Sequence, residues 1–262
     1  MPHHQVDGHA IYYELSGRGE KTLVLFNGIT MSTVAWTFML PVLEAHYRLL
    51  RLDFLGQGES SKPPQAFYPL ETQADMALAV LDALEIETCY LVGLSYGGMV
   101  AQHFARRHQA RIEKLLLAAT LTWSDSVNAA MCDSWIAAHD AGGFDLGYQI
   151  SIPWLFSSRF LAAQAAMLPE LKRIASLADW PSVVRLLAGV KLHDARTWLD
   201  TLQRPTHIIV GTEDRLTPRY QAELLRERIT GATLALLPGA GHVLHLEAPE
   251  AFCRAVTGFC PP

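Results

Sequence analysis

The chain has 262 residues, of which half are hydrophobic and 18% are charged, and its formal net charge at pH 7 is −5. This composition is typical of globular proteins and excludes a disordered chain. A negative net charge without clustered Lys and Arg argues against a nucleic-acid surface. No apolar run is long enough to cross a membrane. We expect one large α/β domain or one domain with an insertion, because a chain of this length can bury a large core.

The chain starts Met-Pro-His-His-Gln, without the basic and apolar regions of a secretory signal, which predicts a cytoplasmic protein. Its four cysteines lack C-x-x-C spacing, so we interpret them as small buried side chains and expect no metal and no organic cofactor. The sequence leaves the oligomeric state open, with a homodimer among the options. The cysteines are Cys89, Cys132, Cys253 and Cys260.

Short β-rich runs alternate with longer helical patterns along the chain, which predicts a mostly parallel sheet flanked by helices. Some of the runs, such as Leu-Val-Leu-Phe at 23–26, are continuously apolar, as in strands buried on both faces. Strands are predicted at residues 10–15, 22–27, 47–53, 89–94, 112–119, 206–210 and 233–237. Helices are predicted at residues 34–44, 72–84, 99–107, 219–228 and 249–259.

The alternation stops between residues 121 and 203, where only helical patterns occur and where five of the six tryptophans lie. We interpret 121–203 as a helical cap laid over the strand ends, where open α/β sheets bind ligands. Residues 1–120 and 204–262 would then form one core domain. The alternative for any one tryptophan is that it only packs the cap onto the core.

Residues 91–98 read Leu-Val-Gly-Leu-Ser-Tyr-Gly-Gly and contain a G-x-S-x-G pentad centred on Ser95. An apolar run, this pentad and a following helical pattern predict a strand, a sharp turn carrying a nucleophilic serine, and a helix. The chemistry needs Gly93 and Gly97, because residues without side chains let the strand and the helix approach each other. The free N–H groups of the helix would point at an anion formed near Ser95.

A serine nucleophile needs a base to take its proton and a carboxylate to orient that base. Asp214 follows the predicted strand at 206–210, and His242 ends a glycine-rich loop after the next predicted strand. The three residues thus occur in the order Ser, Asp, His, each after the carboxyl end of a strand. This order predicts a catalytic triad on an α/β sheet.

Two neighbouring residues offer alternatives to this assignment. Glu213 adjoins Asp214, but the acid followed by Pro218 four positions later fits the loop better. His245 forms an H-x-x-H pair with His242, which is one way to bind a metal, but the pair lacks the Glu of H-E-x-x-H and any clustered third ligand. We therefore favour packing of His245 at the start of the last helix.

An oxyanion hole needs two backbone N–H groups directed at the developing negative charge. Tyr96, directly after the nucleophile, would supply one of them. The loop Asn-Gly-Ile-Thr at 27–30 follows a predicted strand, and we expect the second N–H from Ile29. An apolar acyl pocket is predicted nearby. Its expected lining residues are Asn27, Met31, Met99, Trp154 and Phe156.

With these residues placed, the chain resembles the α/β-hydrolase superfamily over nearly its full length. Residues 53–60 are similar to the family's D-x-x-G-x-G-x-S segment, and His242 followed by Glu-Ala-Pro-Glu at 247–250 is similar to its usual ending. Most members carry His-Gly where this chain has Asn27 and Gly28, a change that keeps the backbone donor and alters the polar wall behind it. Segments 27–33 and 241–247 also resemble the bacterial synthases that make the hydroxyalkanoyloxyalkanoate precursor of rhamnolipids. Tyr96 stands where tryptophan is expected in those enzymes, so their acyl-carrier substrate does not carry over.

The sequence thus predicts a serine hydrolase that cleaves a carboxylic ester, or a related acyl compound, through an acyl-enzyme. The expected partner is a small apolar ester or thioester. The same three groups would also serve an acyltransferase or thioesterase that passes an acyl group from a thioester to a hydroxyl. A non-catalytic ligand sensor on the same fold is the third hypothesis, because fold alone does not define function.

Overall fold

The computed structural model describes residues 2–262, and their strands form one mostly parallel sheet. The strand order is β1-β2-β4-β3-β5-β6-β7-β8. β1 pairs antiparallel with β2 and β2 antiparallel with β4, whereas the other neighbours are parallel. The strands are β1 His3–Val6, β2 His9–Ser16, β3 Thr22–Phe26, β4 Arg48–Leu52, β5 Cys89–Leu94, β6 Ile112–Ala118, β7 Thr206–Gly211 and β8 Thr233–Leu237.

Helices connect the parallel strands and cover both faces of the sheet. They are α1 Leu40–Leu43, α2 Leu70–Ala83, α3 Tyr96–His108, α4 Ser126–Leu155, α5 Ser158–Ala163, α6 Leu168–Ala175, α7 Trp180–Lys191, α8 Arg219–Arg228, α9 Leu244–Glu247 and α10 Pro249–Phe259. Short 3₁₀ segments lie at Thr33–Met39, Gln109–Arg111, Ala165–Met167 and Leu199–Thr201. Within residues 2–262, no helix is both long and apolar enough to cross a bilayer.

The fold class predicted from the alternating pattern is confirmed, and two local predictions are corrected. The predicted helix at 34–44 is a 3₁₀ segment followed by α1, because Pro41 has no N–H to donate and its ring would clash with the carbonyl four residues earlier in a continuous α-helix. β1 was not predicted. Its sequence His-His-Gln-Val is polar and only partly buried at the sheet edge, so it lacks the apolar pattern of the inner strands.

The centre of the sheet is buried on both faces. Every residue of β3 and β5 is buried, and Phe26 of β3 aligns with Gly93 of β5. Buried side chains of α2, α3 and α8 pack on one face, and those of α1 and α10 pack on the other. The carboxyl ends of β3, β5, β7 and β8 therefore meet above a rigid apolar core.

The chain between β6 and β7 is largely helical and comprises α4 to α7. α4 is kinked at Gly142 and Gly143, where Gly143 has a φ of 65°. Trp135 of α4 and Leu186 of α7 are buried in the cluster that also contains the α2 and α3 side chains. These helices thus pack on the same side of the molecule as α3, and their division into a separate cap stays a prediction.

Candidate active site

Ser95 lies on a tight turn between β5 and α3, with φ 56° and ψ −116°. This left-handed backbone is strained for a residue with a side chain. Hydrogen bonds hold it from three directions. The Ser95 N–H donates to the Ala118 carbonyl (2.8 Å), and the Ser95 carbonyl accepts from Gly98 N–H (2.9 Å) and from the Thr120 hydroxyl (2.7 Å). The surrounding strands and helix therefore fix the conformation that exposes the serine Oγ at the end of β5.

The glycines of the pentad are needed for close packing at this turn. A Cβ on Gly97 would lie 2.3 Å from the Phe26 carbonyl oxygen of β3, and one on Gly93 would lie 2.5 Å from the Gly97 carbonyl oxygen. Both distances are far below van der Waals contact. Any side chain at either position would push the start of α3 away from the sheet.

The structure brings Ser95, His242 and Asp214 into one hydrogen-bonded chain. His242 Nε2 lies 2.8 Å from Ser95 Oγ, and His242 Nδ1 lies 3.0 Å from Asp214 Oδ2. The residues are buried, with 8%, 5% and 6% of Ser95, His242 and Asp214 exposed. Three residues that are far apart in the sequence thus meet at the carboxyl ends of β5, β7 and β8.

The hydrogen bonds of Asp214 determine which nitrogen of His242 carries the proton. Oδ1 accepts from the N–H groups of Leu216 (2.9 Å) and Thr217 (2.8 Å), and Oδ2 accepts from the Thr217 hydroxyl (2.7 Å). An ionised carboxylate only accepts, so His242 Nδ1 must donate to Oδ2. The lone pair of Nε2 then faces the Ser95 hydroxyl, which is the arrangement a general base needs.

The two alternative residues lie elsewhere. Glu213 Oε2 accepts from the Ser158 N–H (3.3 Å) and faces α5 rather than the histidine. His245 is buried with its ring 5.6 Å from that of Trp36, and burial together with the nearby His242 lowers the pKa of His245 to about 3. Residues 2–262 contain no group of three or more His, Cys, Asp or Glu side chains arranged to hold a metal.

The loop after β3 forms a tight turn in which the Met31 N–H donates to the Gly28 carbonyl (3.1 Å). The loop lies against the nucleophile turn, because a Cβ on Gly97 would be 2.7 Å from the Asn27 carbonyl oxygen. The N–H of Ile29, within this turn, and that of Tyr96, the first residue of α3, have no acceptor among residues 2–262. These are the two backbone donors expected from the sequence.

Asn27 does not line a pocket as predicted. Its side chain is fully buried, donates to the Leu52 carbonyl (2.9 Å) and to Asp53 Oδ1 (3.1 Å), and accepts from Trp36 Nε1 (2.7 Å). The Asn27 amide therefore bonds the loop after β3 to the end of β4, and its nitrogen and oxygen both face protein groups. The sequence could not show this, because its partners come from other elements of the fold.

The other four predicted pocket residues belong to segments that border the triad or the Gly28–Met31 turn, and their role as a pocket lining stays a prediction. The Met99 N–H donates to the Ser95 carbonyl (3.2 Å) in the first turn of α3, and Met31 Sδ accepts from the Gly28 N–H (3.1 Å). The His242 N–H donates to the carbonyl of Leu155 (3.0 Å), which lies between Trp154 and Phe156.

Residues 153–158, which we call the 153–158 junction, join α4 to α5 and are bound to the loops that carry Asp214 and His242. Arg215 donates to the Pro153 carbonyl (2.9 Å). The carboxylate of Glu247 accepts from the Ser157 N–H (3.0 Å) and from the Gly241 N–H (2.9 Å). No role was predicted from the sequence for Arg215, Thr217 or Glu247. Arg215 and Thr217 lie one and three positions after Asp214, and Glu247 belongs to the ending similar to that of hydrolases.

Comparison with known proteins places this chain in a family. The Alpha/beta hydrolase family model matches residues 23–255. The pimeloyl-[acyl-carrier protein] methyl ester esterase of Edwardsiella ictaluri is 29% identical over 259 residues, which cover 95% of this chain and 97% of that protein. A protein of Stutzerimonas stutzeri named as a carbamate hydrolase is 28% identical over 250 residues, covering 92% and 93%.

One solved structure matches the fold of this chain over nearly its whole length. MGS-M2, an alpha/beta hydrolase enzyme from a Medee basin deep-sea metagenome, matches with a TM-score of 0.93 and 28% identity, covering 98% of this chain and 96% of that one. The chain therefore belongs to the alpha/beta hydrolase family, and it is an enzyme. The resemblance inferred from its motifs is confirmed at the level of the family.

Proposed function

We propose that this protein is a serine hydrolase that cleaves carboxylic esters through an acyl-enzyme, with Ser95, His242 and Asp214 as its catalytic triad. The observation that carries the proposal is the continuous chain of hydrogen bonds from Ser95 Oγ through His242 to Asp214, at 2.8 and 3.0 Å. Both distances lie within the reach required for proton transfer from a nucleophile to its base. A purely structural or sensing protein has no need of this alignment.

In the proposed acylation step, Ser95 Oγ attacks the carbonyl carbon of the ester as its proton passes to His242 Nε2. The negative charge on the former carbonyl oxygen is stabilised by the N–H groups of Ile29 and Tyr96, while Asp214 stabilises the imidazolium. His242 then returns the proton to the leaving alcohol, and the acyl group stays on Ser95.

In the deacylation step, water attacks the acyl-enzyme and His242 takes one of its protons. The second tetrahedral intermediate collapses, His242 gives the proton to Ser95 Oγ, and the carboxylic acid leaves. Neither step consumes a cofactor, because every proton that His242 accepts is returned within the cycle. The same acyl-enzyme would yield an ester if an alcohol replaced water.

The proposed substrate is an ester with an apolar acyl group. The support is that large apolar or polarisable side chains occur in the segments around the triad. Met99 follows the nucleophile turn, Met31 ends the turn that carries Ile29, and Trp154 and Phe156 flank the residue whose carbonyl accepts the His242 N–H. The Edwardsiella ictaluri relative is named as a methyl ester esterase, which fits an ester substrate. A carbamate is the second candidate, favoured by the Stutzerimonas stutzeri relative, because its carbonyl is open to the same attack.

A turnover screen tests the proposal. The wild-type chain is assayed with p-nitrophenyl esters, with a p-nitrophenyl carbamate and with acyl thioesters in the presence and absence of an alcohol acceptor. We expect turnover of the esters and a loss in kcat of about 10⁴ or more in Ser95→Ala, because the triad acts as a unit. Ser124→Ala is the matched control and should keep wild-type activity, because it removes a hydroxyl that has no hydrogen-bond partner in the described part of the chain. A Ser95→Ala variant with more than a tenth of wild-type activity would overturn the assignment.

A further inference from the structure

Gln57 is a buried side chain directly beneath the Gly28–Met31 turn. It lies in the loop between β4 and α2, is 3% exposed, and is separated from the triad in sequence. Its amide Nε2 donates to the carbonyls of Gly28 (2.8 Å) and Ile29 (3.2 Å). Two consecutive carbonyls of the turn are therefore held by one side chain from outside the turn.

These hydrogen bonds determine where the Ile29 N–H points. The Gly28 carbonyl and the Ile29 N–H belong to the same planar peptide group, and in a trans peptide they point in opposite directions. The chain has no cis peptide bond among the described residues. When Gln57 holds the Gly28 carbonyl toward the protein interior, it therefore holds the Ile29 N–H away from Gln57, where no acceptor lies among residues 2–262.

The orientation of Gln57 is itself fixed. Its Oε1 accepts from the Phe54 N–H (3.2 Å) and from Asn27 Nδ2 (3.4 Å). The Gly28 carbonyl also accepts from Met31 within the turn, but the Ile29 carbonyl has no other donor among residues 2–262. Reversal of the amide would place its oxygen against two carbonyl oxygens, so only one orientation satisfies all the partners.

The carboxylate of Asp53 secures the far end of the same loop. It accepts from the Thr33 N–H (2.8 Å) and the Glu59 N–H (3.0 Å), although burial raises the pKa of Asp53 above its usual value. Asp53 thus fixes the point where the loop re-enters regular structure. Gln57 is the side chain that reaches the peptide group carrying the Ile29 donor.

We propose that Gln57 is a positioning residue for the oxyanion hole, which aims the Ile29 N–H at the charge formed on the substrate. The inference rests on the proposed function, because Ile29 has this role only if Ser95 attacks a carbonyl. The D-x-x-G-x-G-x-S motif of the family does not specify this role, because Gln57 stands at the variable position between Gly56 and Gly58. The role requires an amide donor, and a side chain of the same size without one would leave the Gly28 carbonyl held by the Met31 N–H alone.

Two substitutions remove the donor in different ways. Gln57→Glu keeps the shape and the acceptor for Phe54 but sets a carboxylate oxygen against the carbonyls of Gly28 and Ile29. Gln57→Met keeps the length, adds no charge, and keeps the test open if the first variant does not fold. Gln221→Glu is the matched control, because Gln221 is also fully buried and its amide also bonds backbone groups, those of Thr122 and Trp123, away from the loop.

We expect both Gln57 variants to lower kcat on a p-nitrophenyl ester about 10- to 100-fold with little change in KM, since complete loss of an oxyanion donor costs about 10² to 10³. A trifluoromethyl ketone inhibitor, whose adduct with Ser95 carries an oxyanion, should lose affinity by a similar factor. Gln221→Glu should change the melting temperature without this paired loss.

The result that overturns the inference is a folded Gln57→Met variant with kcat and inhibitor affinity within threefold of wild type. A loss equal to that of Gln221→Glu would also overturn it, because the effect would then be general destabilisation. These results leave the proposed function intact. A wild-type chain without Ser95-dependent turnover would overturn the proposed function, and the role of Gln57 with it.

Discussion

Replacement of Asp214 by Asn tests the triad at the point where the structure is most explicit. Asp214 Oδ2 accepts from the Thr217 hydroxyl at 2.7 Å and from His242 Nδ1 at 3.0 Å. An amide NH₂ in that position donates, so His242 Nδ1 would have to accept and the ring proton would move to Nε2. There it would point at Ser95 Oγ, 2.8 Å away, and the ring could not take the serine proton.

The Asn side chain could avoid this by rotating its oxygen toward the histidine, but the structure opposes that rotation. The NH₂ group would then face the N–H groups of Leu216 and Thr217, which now donate to Oδ1 at 2.9 and 2.8 Å. Two buried donors would lose their acceptor, at about 1–3 kcal/mol each, or about 2–6 kcal/mol together. The orientation with the wrong histidine tautomer is therefore favoured.

We expect Asp214→Asn to lower kcat by about 10³ to 10⁴, as in other triads, which is about 4 to 5.4 kcal/mol in the activation barrier. The assay is kcat on p-nitrophenyl butyrate, with thermal unfolding followed by circular dichroism to show that the variant is folded. Glu213→Gln is the control and should lose less than tenfold, because among residues 2–262 the Glu213 carboxylate is hydrogen-bonded only to the Ser158 N–H of the 153–158 junction. If Glu213→Gln lost more activity than Asp214→Asn, Glu213 would be the acid and the tautomer argument would fail.

Three other outcomes are expected. Activity on an activated ester should rise from acid to neutral pH, because His242 must be neutral to accept a proton, and a flat pH–rate profile would exclude it as the base. Each buried CH₂ contributes about 0.8 kcal/mol, so kcat/KM for p-nitrophenyl esters should rise about twofold to fourfold per methylene from acetate towards hexanoate. Trp154→Ala should move the optimum to longer acyl chains. A series that peaks at acetate would contradict an apolar acyl pocket. Burial, and secondarily the neighbouring His103, lowers the pKa of His193 to about 3. The unfolded chain then binds the proton first, so His193 alone should lower the free energy of unfolding by up to about 1.4 kcal/mol per pH unit below about pH 6.5. Guanidinium titrations at pH 7 and pH 5 measure this slope, and His193→Asn should reduce it.

The sequence predicts the centre of the sheet well because β3 and β5 contain no charged residue. β3 and β5 are buried on both faces, so their residues carry a signal that does not depend on knowing their neighbours. The polar edge strand β1 carries no such signal. The helical pattern at 34–44 was predicted as one helix because the effect of a single residue was missed. Pro41 divides it into a 3₁₀ segment and α1.

At the site, the sequence predicts residues at strand ends better than the directions of their side chains. Ser95 was predicted from the G-x-S-x-G pentad, and Asp214 and His242 from the order of strands and loops. Asn27 also follows a strand, but whether its amide faces a ligand or the interior depends on Trp36, Leu52 and Asp53, and no local pattern contains that information.

The 153–158 junction ties the helical segment between β6 and β7 to the loop that carries His242. The His242 N–H donates to the Leu155 carbonyl, and the Glu247 carboxylate bridges Ser157 and Gly241, the residue before His242. A motion that lifted this end of the helices off the sheet would break these bonds and pull on the histidine loop. These bonds therefore help to hold His242 beside Ser95. The kink at Gly142 and Gly143 lies more than two helical turns before the junction, so the part of α4 next to the junction is separated by a bend from the part that begins at Ser126.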